Sequence, residues 1–160
     1  MFKKLRNKEV DIIFSKKNND IDLKDIDYIK LGYLHDVIIA GKDSQFANKK
    51  LTIEDLESNV IYGPRHYAQA VERIKALMQG KSLNLNNSSY STILKLASTG
   101  NALGLVTREY VTEEEYKKYN LVEVKTEIDL GKIEFGIYLN SNRFKELNNL
   151  IKIIKIEFNV

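Results

Sequence analysis

Cysteine and tryptophan are missing from this chain, and proline occurs once, at Pro64. Without cysteine there is no disulfide, no thiol nucleophile and no thiolate-ligated metal site. Long apolar runs are missing too: none approaches the roughly 20 residues that cross a bilayer, so no membrane partner is expected. The basic start, Met1-Phe2-Lys3-Lys4-Leu5-Arg6, is not followed by an apolar stretch with a small-residue cleavage site. No signal peptide is therefore expected, and the expected compartment is the cytoplasm. Charge of one sign is nowhere concentrated. The formal net charge is +3, acids and bases are interspersed, and the basic pieces at Lys3-Lys4 and Lys16-Lys17 are short. Nucleic-acid binding needs clustered phosphate contacts, so this chain is not expected to touch DNA directly.

What is present suits a globular protein. The 160 residues are 43% hydrophobic and 29% charged, enough for one large domain or two small lobes with a true core. Phe2 to Lys8, with Phe2 and Leu5 at i, i+3, reads as the end of a helix leading into a strand, Val10-Asp11-Ile12-Ile13-Phe14. Residues 26–40 read as a long or paired extended segment. Thr52 and Asp55 form a capping box for a short helix. Val60-Ile61-Tyr62 is a strand ended by Gly63-Pro64, and a helix over 65–79 follows with Ala70, Val71, Ile74, Leu77 and Met78 on one side.

After a strand at 83–86, one of Ser88, Ser89 and Ser91 caps a helix whose apolar face is Ile93, Leu94, Leu96 and Ala97. Gly100 stands where a left-handed helix stop belongs. Leu103-Gly104-Leu105-Val106 is a buried strand, with Gly104 admitting a close approach by backbone or ligand. Thr112 caps a helix beginning Glu113-Glu114-Glu115, an acidic start that suits the helix dipole rather than paired catalytic acids. Strands at 121–125 and 133–139 precede a final helix, capped at 140–142, with Leu147, Leu150, Ile151 and Ile154 as its apolar face. Alternating strands and helices predict an α/β fold with a largely parallel sheet.

The order of these pieces resembles the effector-binding (co-inducer) domain of LysR-type transcriptional regulators. Lys8-Glu9-Val10-Asp11-Ile12-Ile13-Phe14 is similar to that family's Val-Asp strand. Residues 43–56, ending in Glu54-Asp55-Leu56, resemble its segment after the lobe crossover, with Ser44-Gln45 in place of the usual His-Pro. Gly100-Asn101-Ala102-Leu103-Gly104-Leu105-Val106-Thr107 resembles its glycine turn and strand, with Asn101-Ala102 loosening the motif and Thr107 near the usual proline. The resemblance covers essentially the whole chain. It implies a two-lobed, periplasmic-binding-protein-like (type II) α/β fold with an incomplete first lobe. Lobe one is expected at about 1–30 and 135–160, lobe two at about 35–125. The family's winged helix-turn-helix, linker helix and first strand–helix–strand are not in this chain, so a truncated fragment is expected.

The resemblance also implies a function: sensing a small effector, an organic acid or amino acid, between the lobes, without enzymatic activity or cofactor. A homodimer is implied, with the helix near Lys8 and the helix over 65–79 as its interface. DNA contact would come only through the missing N-terminal domain.

A site in such a fold lies at the carboxyl ends of strands, where helix starts favour anions. The candidate ligand-binding residues are Ser15 after the first strand, Arg65 and His66 after Gly63-Pro64, Asn87, Ser88 and Ser89 before the next helix, and Thr107 at a strand end. Arg65 offers a bidentate fork for a carboxylate. Each has a plainer reading as a solvated, capping or turn residue. His35 is assigned a structural role. Two isolated histidines provide no metal-ligand spacing, and neither a Gly-x-Ser-x-Gly elbow nor a phosphate-cradling loop is present. A solute-binding protein for transport and a small enzyme of the same two-lobed fold are the alternatives.

Overall fold

The computed structural model describes residues 1–19, 22, 24–64, 68–78 and 82–159. The chain divides into two compact units, one formed by Met1–Leu34 with Lys132–Val160, the other by His35–Gly131.

The first unit holds α1 (Phe2–Arg6), β1 (Ile12–Lys16), the first part of β2 (Ile26–Gly41), β7 (Lys132–Asn140) and α6 (Phe144–Glu157). β1 and β7 pair antiparallel from Ile12↔Leu139 to Lys16↔Phe135, and β2 lies on the other side of β7. Alternation along the strands sends side chains to two faces. Leu5, Ile13, Ile26 and Tyr138 pack on one; Leu31, Ile137, Leu139 and Ile151 pack on the other, under α6. Phe2 meets Tyr138 edge-on, with centroids 5.0 Å apart.

The second unit holds the rest of β2 together with α2 (Ile53–Ser58), β3 (Ile61–Gly63), α3 (Ala68–Leu77), β4 (Leu85–Asn87), α4 (Tyr90–Ser98), β5 (Leu103–Thr107), α5 (Glu113–Lys118) and β6 (Leu121–Val124). β3 lies between β4 and β5 and is parallel to both. β2 is antiparallel to β5 on one side and to β6 on the other. Ile38, Leu56, Ile61, Ile74, Leu103 and Leu105 are among the side chains of one core layer, and Ile39, Ile93, Leu94, Ala97 and Val106 are among those of the other.

Local signals explain these elements. Thr52 and Thr112 each close a capping box, with Asp55 and Glu115. Of the three serines before α4, Ser89 is the N-cap. Gly100 has φ +79°, a left-handed conformation that glycine adopts without a Cβ penalty.

Several expectations are corrected. The sheet is mixed: β3 pairs parallel with β4 and β5, whereas β2 runs antiparallel to both its neighbours in this unit. Of the two readings of 26–40, long or paired, the structure shows the long one, a single 16-residue strand, Ile26–Gly41. Leu150 and Leu77, expected on apolar faces, are 45% and 47% exposed, since each unit covers a narrower helix stripe than the pattern suggests. Asn140 caps a 3-10 turn, Ser141–Arg143, and α6 starts after it. The space over Gly104 is filled by core side chains: a Cβ there would lie 2.8 Å from Ile39 Cγ1 and 2.9 Å from Ile93 Cγ2, leaving no room for a ligand.

Candidate functional site

The parallel arrangement of β3, β4 and β5 carries their carboxyl ends, at Gly63, Asn87 and Thr107, to one edge of the second unit. Gly63 and Asn87 are register partners, and the Ser88 N–H donates to the Gly63 carbonyl at 3.0 Å. The turn after β4 is thereby fastened to the end of β3. Asn87 and Ser89 are exposed there and Ser88 is half-buried. Ser89 Oγ accepts from the Thr92 N–H at 3.4 Å and lies 2.8 Å from Thr92 Oγ1, so its first role is helix capping. Arg65 and His66, which follow Gly63-Pro64 in the chain, lie outside the described residues.

Thr107 behaves differently. It is buried, and its hydroxyl donates to Asp36 Oδ1 at 3.2 Å. Asp36 sits opposite it in the β2–β5 register. Ser15 belongs to the first unit, on β1 opposite Gly136. The structure thus groups Asn87, Ser88 and Ser89 at one edge and ties Thr107 into a buried polar pair.

Beside that pair is a cavity of about 430 Å³, a volume within the usual range for small-molecule sites. Its lining comes from β2 (His35 to Ile38), from Arg108 after β5, and from Glu123 to Gly131 apart from Glu127. Val37, Ile38, Val124, Ile128 and Leu130 supply buried apolar surface. Two hydrogen-bonded side-chain pairs stand in or beside it. Arg108 forks onto Glu123, with Nε to Oε1 and Nη2 to Oε2 both 2.8 Å, and Tyr116 donates to the same carboxylate at 3.2 Å. Glu123 holds Arg108 more firmly in its charged form, while burial and that carboxylate push the Tyr116 phenol up. His35 Nδ1 lies 2.7 Å from Glu109 Oε1, and the His35 backbone N–H donates to Oε2 at 2.9 Å. Burial opposes charge on Glu109, but these bonds from His35 outweigh it and hold the carboxyl below its ordinary value.

Sequence reasoning missed this cavity. Arg108, Glu123, Lys125 and Asp129 carry no local motif; they read as ordinary charges at strand ends and loops. His35, assigned a structural role from the sequence, bonds to Glu109 and also lines the cavity. Among the described residues, no group of three or more His, Cys, Asp or Glu side chains is placed to hold a metal ion. No helix among them is long and apolar enough to cross a membrane.

This topology is the fold of the regulatory, effector-binding domains of LysR-family transcriptional regulators, which have a two-lobed, periplasmic-binding-protein-like architecture. The reduced regulatory domain of OxyR2 from Vibrio vulnificus superposes with a TM-score of 0.75 at 17% identity, covering 98% of this chain and 75% of that one. The regulatory domain of MetR from Neisseria meningitidis gives 0.66 at 16%, covering 96% and 73%. A cysteine mutant of OxyR from Corynebacterium glutamicum gives 0.73 at 16%, over 99% of this chain and 51% of that one, so the present chain spans about half of that protein. No protein-family model matches the chain, and the search of curated proteins finds no match.

Proposed function

We propose that this chain is the ligand-sensing part of a LysR-type transcriptional regulator. Its effector is a small anionic metabolite, an organic acid or amino acid, and it acts without catalysis. The carrying observation is the likeness to LysR regulatory domains over nearly the whole chain, at TM-scores near 0.7. Chemistry supports a bound effector as the signal. With no cysteine, sensing by thiol oxidation is closed to this chain.

The proposed anion site is the strand-end edge at Asn87, Ser88 and Ser89, with Arg65 and His66, which follow Gly63-Pro64 in the chain. Effector binding would favour one of two conformations by its differential affinity for them. A winged helix-turn-helix outside this chain would then carry the change to DNA. The working form is a cytoplasmic homodimer.

A thermal-shift screen of organic acids and amino acids, run beside a turnover assay, tests this reading. A ligand at 100 times its Kd should stabilise the fold by about 2.7 kcal/mol. Saturable stabilisation without turnover is expected, and Arg65→Ala should abolish the shift given by acids. Turnover of any stabilising compound would overturn the sensing role; an unchanged shift in the variant would overturn the site.

A further inference from the structure

The cavity exists because two strands separate. β6 pairs with β2 only as far as Val124↔Ile38. The chain then leaves β2 and bonds to Leu51 instead: the Leu51 N–H donates to the Lys125 carbonyl at 2.8 Å, and the Glu127 N–H donates to the Leu51 carbonyl at 2.9 Å. Further along, the Arg73 guanidinium donates to the Leu130 carbonyl, and the Thr126 hydroxyl donates to the Ile128 carbonyl at 2.6 Å. The far wall is therefore anchored away from β2, so the gap is held open before any ligand arrives. Such preorganisation lowers the cost of binding.

The charges around the gap are unequal in their commitments. Arg108 is forked onto Glu123, and His35 is held by Glu109. Lys125 and Asp129, both exposed and both lining the gap, have no ion-pair partner among the described residues. Among the described residues, the Asp129 carboxylate accepts only a backbone N–H, that of Gly131, at 2.8 Å. One free ammonium and one free carboxylate thus border a cavity with an apolar floor. A ligand carrying a single net charge would satisfy one of them and leave the other unmatched.

We propose that this gap is a binding site for a zwitterion, a free α-amino acid. Its carboxylate pairs with Lys125, its ammonium pairs with Asp129, and its side chain lies over Ile128 and Leu130. This site is separate from the strand-end edge and does not depend on that edge binding an anion.

The test uses the whole chain, with L-serine, L-leucine and L-lysine as zwitterionic probes and acetate and ethylamine as half-ligands. Two-dimensional amide and methyl NMR follows each titration. At least one amino acid should give saturable shifts at Lys125, Ile128, Leu130 and Gly131, while both half-ligands bind about tenfold weaker or worse, as expected for loss of a charge-assisted contact. Lys125→Ala and Asp129→Ala should each weaken binding about tenfold. Both positions are on the surface, and an unchanged far-ultraviolet spectrum and melting temperature would confirm folding. The exchange Lys125→Asp with Asp129→Lys should restore binding relative to either single reversal. Absence of saturable shifts with all three probes, shifts confined to Asn87–Ser89, or single variants that bind as well as wild type would overturn the proposal. An anion response lost on Arg65→Ala but kept in Lys125→Ala belongs to the strand-end site, so the two readings fail independently.

Discussion

Thr107 and Asp36 stand opposite each other on β5 and β2, both buried, with the threonine hydroxyl 3.2 Å from the carboxylate. A buried carboxylate needs its hydrogen bonds, and removing one donor leaves part of its desolvation cost uncompensated. Thr107→Val keeps the shape and removes the hydroxyl. It should destabilise the second unit by about 1–3 kcal/mol. Urea unfolding should show a lower midpoint with an unchanged slope, the signature of a pure stability change. An unaltered midpoint would mean that other groups satisfy Asp36 alone.

Gly104 lies between Ile39 and Ile93 with no space for a methyl group. Gly104→Ala should cost about 1–3 kcal/mol through overpacking. Combining it with Ile39→Val, which removes the Cδ1 methyl 3.2 Å from the added Cβ, should recover part of the loss. A double-mutant cycle measures that coupling, which should be favourable because the two side chains share one space.

The capping carboxylates give the fold an acid-sensitive component. Lys49, then the Thr52 backbone N–H, holds the Asp55 carboxyl below its ordinary value, and the Thr112 backbone N–H does the same for Glu115. Depressed values mean that the unfolded chain binds these protons first. Their contribution is complete above the ordinary values of 3.8 and 4.5 and is lost as pH falls through the lower folded values. Chemical-denaturation midpoints should therefore fall with acidification below about pH 4.5. In Glu115→Gln the fall should be shallower; an identical pH profile would show that Glu115 contributes nothing through its charge.

Ser89→Ala should cost about 1 kcal/mol, because it removes the oxygen that caps α4. This loss is independent of ligand. Comparing the variant's melting temperature with and without a stabilising acid separates capping from binding: a capping role lowers both by the same amount, whereas a ligand contact also shrinks the difference between them.

Ile151 and Leu150 are neighbours in the sequence, but Ile151 is 3% exposed and Leu150 is 45% exposed. Ile151→Ala should cost about 2–5 kcal/mol by leaving a cavity, and Leu150→Ala well under 1 kcal/mol. Periodicity alone assigns both to one apolar face, so thermal denaturation of the two variants measures how narrow the covered stripe is.

Much of the local structure was legible in the order of residues. The two Thr-x-x-acid boxes, the serine before α4 and the left-handed glycine after it act over three or four positions, and such effects do not need the rest of the chain. The strand-end grouping of Asn87 and Ser88 beside Gly63 also followed, because parallel strands joined by helices bring their carboxyl ends together.

Long-range pairing settled what remained. Thr107 looked available at a strand end, yet Asp36, 71 positions earlier, takes its hydroxyl once β2 and β5 are in register. The antiparallel run of β2 against β5 and β6 turned an expected parallel sheet into a mixed one. The cavity has no motif at all: it opens where β6 stops following β2 and Leu51 captures the chain beyond Val124. Hydrogen-bond partners that compete for the same strand are far apart in the sequence, so only the folded backbone decides which of them wins and where space is left.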